Sequence, residues 1–470
     1  MVFSSLTFLF AFLPPVVVCF FALPPRARTP FLVVVSWLFY AWGEKEIVLF
    51  LVATTVVNWA LALWLERAQS DRRKLILAVA AVANIGALLF FKYTNFFIQN
   101  VNEILSVAGV APLQVPLVHL PIGVSFVTFE ALSYVIDVYR RDLSAARNPL
   151  HVAFYISFFP HLIAGPILRY RDIAGPLAGP AVTLSEFDRG VSRFISGLAK
   201  KVLLANTLGH VADQIFALGP AQLGTSVAWL GSVAYAFQIY FDFSGYSDMA
   251  IGLGHMFGFT LPENFRQPYT AQSIQEFWRR WHISLSSWFR DYLFRPLGGS
   301  RLGAARTYCN LLIVFLLCGL WHGAKWNFVA WGLFHGAFLV MERTPLGRLF
   351  TRAPRPARHA YTILVVLIGW VFFRADTLGQ ALRYLRAMAG LGYPASVRAV
   401  DFVTLELVIT MSVAAMLATV PWNERLKLAR LGVVRPLAEL STVAVQLALL
   451  ALSILYLAAG TYNPFIYFRF

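Results

Sequence analysis

His322 is the residue type and setting in this chain that most directly invites chemistry. It lies between Trp321 and Gly323 within residues 311–324, a stretch without a formal charge, and Lys325 follows immediately. An ionisable side chain inside an apolar run costs a few kcal/mol unless a partner or a task compensates, so it is a candidate site by default. Imidazole can stay neutral there and still take a proton near pH 7. Gly323 is expected to leave room for a substrate beside the ring. The competing reading is a core histidine hydrogen-bonded to a neighbouring helix. A second apolar run then carries Trp326, Trp331 and His335.

A second constellation spans residues 275–301. Trp278, Trp281, Leu285 and Trp288 recur at three- and four-residue spacing, and Arg279, Arg280, Arg290 and Arg295 supply cations. That pattern predicts an amphipathic helix lying on the inner membrane surface with its tryptophans at headgroup level. His282 stands beside the aromatic face; paired with a buried His322 it becomes a candidate catalytic partner or a group that positions substrate. Asp242 and Asp248 interrupt the apolar region 226–258 and need partners there. Either could be a helix cap or part of a polar cavity, and a structural role is favoured over catalysis for both, as for Glu130 and Asp137 in 120–139; Asp242 is the one carried forward as a candidate for the cavity wall. Trp278, Trp281, Trp321 and Trp326 are candidates to wall such a cavity, with core packing as the alternative for each.

The elements that must position these groups are membrane spans. Of the 470 residues, 59% are hydrophobic and only 13% charged, against about a quarter charged in soluble domains. The net charge of +16 is carried by arginines that bracket apolar runs, which fits cytoplasmic loops better than nucleic acid. Runs long enough to cross a bilayer, about 17–25 residues, or nearly so fall at 2–23, 30–42, 46–65, 75–98 and 120–139. Later ones fall at 150–168 (broken by Pro160 and Pro166), 226–258, 307–322, 326–341, 360–373, 401–420 and 437–459. The first reads as an uncleaved span rather than a signal peptide, because no small-residue cleavage site follows it. Region 185–218 reads as a long amphipathic helix with Ser185 as N-cap. Breaks at Pro160, at Gly165-Pro166, within Asp242–Gly245, at Pro262 and between Gly319 and Gly323 imply short tilted or re-entrant helices around a cavity.

Basic clusters at Arg26/Arg28, Arg67/Arg72/Arg73/Lys74 and Arg140/Arg141/Arg147 place those loops in the cytoplasm and the N-terminus outside. The same rule makes 169–201, 279–306, 343–358 and 425–435 cytoplasmic and sets His322 toward the middle or outer half of the membrane. Cys19, Cys309 and Cys318 lack metal-ligand spacing and read as small core residues. A phosphate-cradling loop, an HExxH motif and a nucleophile elbow are all absent from the sequence. Neither a bound metal nor nucleotide-driven transport is expected, and the whole of 1–470 reads as one domain.

Six stretches resemble one family. They are PIGVSFVTFEALSYVIDVYR (121–140), FFPHLIAGPILRY (158–170), FDFSGYSDMAIGLGHMFGFTLPENFRQPY (241–269), EFWRRWHISLSSWFRDYLFRPLGGSR (276–301), LWHGAKWNFVAWGLFHG (320–336) and NPFIYFRF (463–470). Together they are similar to the membrane-bound O-acyltransferase (MBOAT) family, in the bacterial polysaccharide branch that holds the alginate O-acetyltransferase membrane subunit. One departure is His161, where the family leads us to expect Gln. The resemblance implies an all-α ring of about 11–12 tilted transmembrane helices, with re-entrant and amphipathic helices around a central tunnel. It implies His322 as the catalytic residue and His282 as the second polar position.

It further implies acetyl transfer across the bacterial inner membrane, from acetyl-CoA or another cytoplasmic thioester toward an exopolysaccharide. No bound cofactor is expected. The implied partners are periplasmic acetyltransferase-type proteins, a cytoplasmic acyl donor or carrier, and membrane lipid. D-alanyl transfer to teichoic acid, and acyl transfer to peptidoglycan or cellulose, share this architecture. Outside the enzyme class, a transporter of acyl carriers would also use broken helices and intramembrane charges, but an inverted repeat is absent; a structural anchor would have no need of a buried histidine.

Overall fold

The computed structural model describes residues 1–392, 396–420, 435–460 and 462–466. The expected basic loop 425–435 therefore lies, up to its last residue, outside the described residues, as do positions 467–470 of the tail motif. Among the described residues all regular structure is helical. Five helical stretches are long and apolar enough to cross a membrane: Pro25–Arg67, Ser70–Val107, Ala304–His322, Arg355–Arg374 and Leu440–Ala458. Shorter apolar helices cover Thr7–Ala22, Trp326–Met341 and Leu405–Thr419. The chain divides into two compact units, Met1–Val191 with Ala250–Pro262, and Ser192–Met249 with Glu263–Phe470.

The first unit contains α1 (Leu13–Ala22), α2 (Pro25–Glu44), α3 (Val48–Arg67), α4 (Ser70–Val107), α5 (Val124–Arg140), α6 (Pro149–Ser157), α7 (Phe159–Leu162) and α8 (Tyr170–Ile173). Several polar side chains inside it pair with one another, as a low-dielectric interior favours. Asn58 on α3 and Asn84 on α4 exchange amide hydrogen bonds at 3.1 and 2.8 Å, the interhelical pairing that polar residues provide between apolar helices. Arg73 donates to the carbonyls of Leu65, Val138 and Tyr139, pinning the end of α5. Glu130 answers its own puzzle: its carboxylate lies 3.1 Å from the His161 ring and accepts the Leu168 N–H at 3.1 Å. Pro160 and Pro166 do break 150–168, into α6, α7 and an irregular stretch.

The second unit draws on α9 (Leu184–Ala199), α10 (Asn206–Phe216) and α11 (Thr225–Met256), with α9 and α11 contributing to both units. It continues through α12 (Ile274–Arg280), α13 (Ile283–Phe289), α14 (Ala304–His322), α15 (Trp326–Met341), α16 (Pro345–Thr351), α17 (Arg355–Arg374), α18 (Leu378–Met388), α19 (Leu405–Thr419) and α20 (Arg435–Ala458). The amphipathic region 185–218 is α9 and α10 joined by a π-helical turn, Lys200–Ala205. Its cap is Thr183 rather than Ser185. The Thr183 hydroxyl accepts the Glu186 N–H while the Glu186 carboxylate accepts the Thr183 N–H, the reciprocal arrangement that a T-x-x-E sequence permits.

One expected break is absent. Residues 242–245 do not interrupt a helix, since α11 runs unbroken from Thr225 to Met256. Gly245 serves a close crossing instead: a Cβ there would come within 2.8 Å of the Gly197 carbonyl, and one on Gly197 within 2.5 Å of the Gly245 carbonyl. Small residues at a crossing let apolar helices approach backbone to backbone. The break expected between Gly319 and Gly323 falls at its far end: α14 stays helical through Gly319 up to His322 and stops at Gly323. Of the cysteines, Cys318 is buried, whereas Cys19 and Cys309 are exposed.

Candidate active site

The second unit carries His322 at the last turn of α14, and the chain reverses through Gly323 into α15. The hairpin is tight because glycines face it: a Cβ on Gly319 would meet the Phe328 carbonyl at 2.3 Å, and one on Gly332 the Phe315 carbonyl at 2.3 Å. Gly323 has a different task from the one expected. Its missing Cβ is occupied by the Phe328 ring, 2.2 Å from where that atom would stand, so the glycine makes room for packing rather than for substrate. Asn327 on α15 donates to the carbonyls of Phe372 and Ala375 at 3.1 and 2.8 Å, fixing the end of α17 beside the histidine.

His322 is buried, 7% exposed, in an aromatic box. Its ring centroid lies 4.8 Å from Trp321, 5.1 Å from Trp331 and 5.0 Å from Phe373. One side opens on a small hollow walled by His322, Phe243, Trp281, Trp331, Trp370 and Phe373. Ile239 from α11 and Ile466 complete the lining. A titratable ring bordering an apolar cavity is the arrangement in which a small carbonyl substrate and a general base can meet away from water.

His282 stands one ring away. Its ring centroid is 6.1 Å from Trp321 and 4.6 Å from Phe243, so Trp321 touches both histidines. The expected single amphipathic helix is broken at this residue into α12 and α13, with a π-helical turn following at Arg290–Phe294. The cause is backbone pairing with residues 264–266. Ile283 N–H donates to the Asn264 carbonyl at 2.9 Å, and Arg266 N–H to the Arg280 carbonyl at 3.0 Å. His282 consequently adopts a left-handed conformation, φ 44° and ψ 56°, at a cost of about 1–2 kcal/mol. The tryptophan stripe is buried, not exposed at a surface: Trp278, Trp281 and Trp288 are all core residues. Their burial against Trp331, Trp370 and Phe315 explains why the segment packs inward.

Asn264 is a site residue that motif reading passed over, within the quoted stretch PENFRQPY. Its side-chain oxygen accepts the Ser284 N–H at 3.2 Å and lies 3.0 Å from His282 Nδ1. A backbone N–H can only donate, so the amide atom facing both groups is the oxygen, and His282 Nδ1 must carry the proton. His282 is therefore held as the Nδ1–H tautomer with a basic Nε2. Burial drives this imidazole down to about 3, so it is neutral throughout the physiological range.

Of the other candidates, Trp281 lines the hollow, while Trp278 and Trp321 are buried behind its walls. Trp326 is 56% exposed at the start of α15 and lies away from the hollow. Its position at the first helical residue after the reversal turns it outward, so the tunnel role expected for it is not met by its placement. Asp242 is buried and ion-paired with Lys201 at 2.8 Å. Asp248 holds Arg193 at 2.7 Å and Lys200 at 2.5 Å. The π-helical turn at 200–205 is what aims the adjacent Lys200 and Lys201 at two carboxylates six residues apart on α11. His335 is buried, with its ring against Trp278 and Trp331 at 5.1 and 5.2 Å. Among the described residues no three potential metal ligands come together.

The model of "MBOAT, membrane-bound O-acyltransferase family" matches residues 124–375. The chain is 42% identical over its whole length, and the whole length of the relative, to "Probable alginate O-acetylase AlgI" of Azotobacter vinelandii. A protein of the same name from Pseudomonas aeruginosa is 46% identical over 83% of this chain and 75% of its own. The "Peptidoglycan O-acetyltransferase" of Helicobacter pylori is 36% identical over 83% of this chain and 80% of its own.

Proposed function

The chain belongs to the membrane-bound O-acyltransferase family, and from that premise we propose that it transfers acetyl groups from a cytoplasmic thioester toward an exopolysaccharide outside the inner membrane, alginate first among acceptors. The observation that carries the reading is His322, a buried imidazole bordering an apolar hollow. The choice of alginate rests on the names of the relatives that match the chain end to end.

In this reaction the acceptor hydroxyl oxygen bonds to the thioester carbonyl carbon as its proton passes to the His322 imidazole. The tetrahedral adduct then expels the thiolate, which recovers that proton from the imidazolium and leaves as a thiol. Such proton transfer contributes roughly 10²–10⁴-fold, and confinement of donor and acceptor by Trp281, Trp331 and Phe373 adds the advantage of orientation. His282, neutral and fixed by Asn264, is a positioning residue that acts through the shared Trp321 wall. The donor is acetyl-CoA or an acetylated carrier, delivered from the side on which the basic loops lie, with the N-terminus outside. Periplasmic acetyltransferase-type proteins complete delivery to the polymer.

The similarity to a peptidoglycan O-acetyltransferase supports a second acceptor, the cell-wall glycan. One experiment addresses both: a deletion strain complemented with wild type or His322→Ala, with O-acetyl measured in secreted polysaccharide and in peptidoglycan separately. Acetylation of one polymer is expected to return with wild type only. A His322→Ala protein that accumulates normally and still acetylates would refute the assignment.

A further inference from the structure

The hollow beside His322 owes one wall to a segment that neither histidine explains. Ile466 contributes to its lining, and residues 463–466 are held in place by an array of buried polar contacts. The Ile466 N–H donates to Asp242 Oδ2 at 2.8 Å. Asp242 Oδ1 lies 2.8 Å from Lys201 Nζ, and the same ammonium donates to Asn206 Oδ1 at 2.7 Å and to the Pro464 carbonyl. Asn206 in turn donates to Asn463 Oδ1 at 3.2 Å, and Phe465 stacks on Tyr246 with centroids 4.7 Å apart. The lysine donates to Asn206 and to the Pro464 carbonyl and is ion-paired with Asp242, so it ties α10, the segment and α11 together. A buried ion pair of this kind is weak evidence for stability but good evidence for register. Here it fixes where Ile466 sits.

We propose that Ile466 is the gauge that limits the transferred acyl group to two carbons, and that Lys201 and Asp242 exist to hold that gauge in place. The inference rests on the acetyl-transfer reading above and specifies its substrate class. The hollow is small, with Trp281, Trp331, Trp370 and Phe373 on its other walls, so Ile466 closes space that a chain longer than acetyl would need. A β-branched side chain has few rotamers with which to yield, so Ile466 presents a stiff surface where a flexible one would bend around a longer chain. Each extra methylene that such a pocket rejects is worth roughly 10–200-fold.

The test uses the full chain in native membranes of a strain lacking its own copy, with acetyl-, propionyl- and butyryl-CoA as donor probes. Thiol release and polymer-bound acyl groups are both measured. Wild type should favour acetyl over propionyl by roughly 10–200-fold. Ile466→Ala keeps the backbone N–H on Asp242, and should narrow the acetyl-over-propionyl preference about tenfold or more; Ile466→Val should fall between. An unchanged propionyl-to-acetyl ratio in a normally accumulating Ile466→Ala protein overturns the proposal, as does a wild type that takes butyryl as readily as acetyl. If wild type turns over none of the thioesters, the acetyl-transfer reading itself falls, and the gauge with it.

Discussion

The Lys201–Asp242 pair gives the sharpest quantitative prediction. Both side chains are almost fully buried, 4% and 2% exposed. At an effective dielectric of about 20, two unit charges 2.8 Å apart attract by about 6 kcal/mol. Desolvation offsets most of that, so the pair adds little net stability, yet removing one partner strands the other. Asp242→Leu or Lys201→Met alone should therefore cost about 3–5 kcal/mol. The double variant Asp242→Leu/Lys201→Met should recover most of the loss, because no buried charge remains. Activity should not follow stability: in that double variant the Ile466 N–H still lacks its acceptor. Asp242→Asn/Lys201→Met restores an acceptor oxygen and should recover acetylation as well. Stability is read by SDS-driven unfolding in mixed micelles, and activity by polymer O-acetyl content. Single variants that unfold like wild type, or a double variant whose loss is the sum of the singles, would show that the pair carries no coupling.

Further outcomes follow from individual contacts. Asn264→Ala removes the acceptor that fixes the His282 tautomer and leaves a buried donor unpaired, about 1–3 kcal/mol. Acetyl transfer should fall about 5–150-fold, and its pH profile should shift, whereas a purely structural role would leave the profile unmoved. Gly323→Ala forces a methyl into the Phe328 ring and should cost about 1–3 kcal/mol, visible as reduced accumulation and a lower melting temperature. His282 is held far below the ordinary histidine range, at about 3. Its contribution to stability is complete above about pH 6.5 and is lost as pH falls from there toward about 3. Melting in micelles should fall across that window in wild type and fall less in His282→Gln.

Much of this protein was legible from its residues. The apolar runs at 307–322, 326–341 and 360–373 became α14, α15 and α17 because length and hydropathy alone decide whether a segment can satisfy its backbone in lipid. A histidine embedded in such a run announces itself by its cost, which is why His322 could be singled out in advance. Asp242 and Asp248 could be recognised as needing partners, but their cations lie about forty to fifty-five residues earlier in the chain, on α9 and the π-helical turn that follows it. The Asp242–Gly245 break and the surface helix at 275–301, both expected from local pattern, are absent for a common reason. Local pattern reports what a residue prefers, whereas Gly245 answers to a helix crossing and the tryptophan stripe answers to rings from α14, α15 and α17. Asn264 and Ile466 carry no periodic or charge signal at all. Sequence thus determined the membrane class, the family and the central imidazole, because those follow from composition, contiguous motif and the energy of one misplaced polar group. Tertiary structure decided the tautomer of His282, the pairing of the buried charges and the wall beside His322, because each depends on distances between residues that the chain holds far apart.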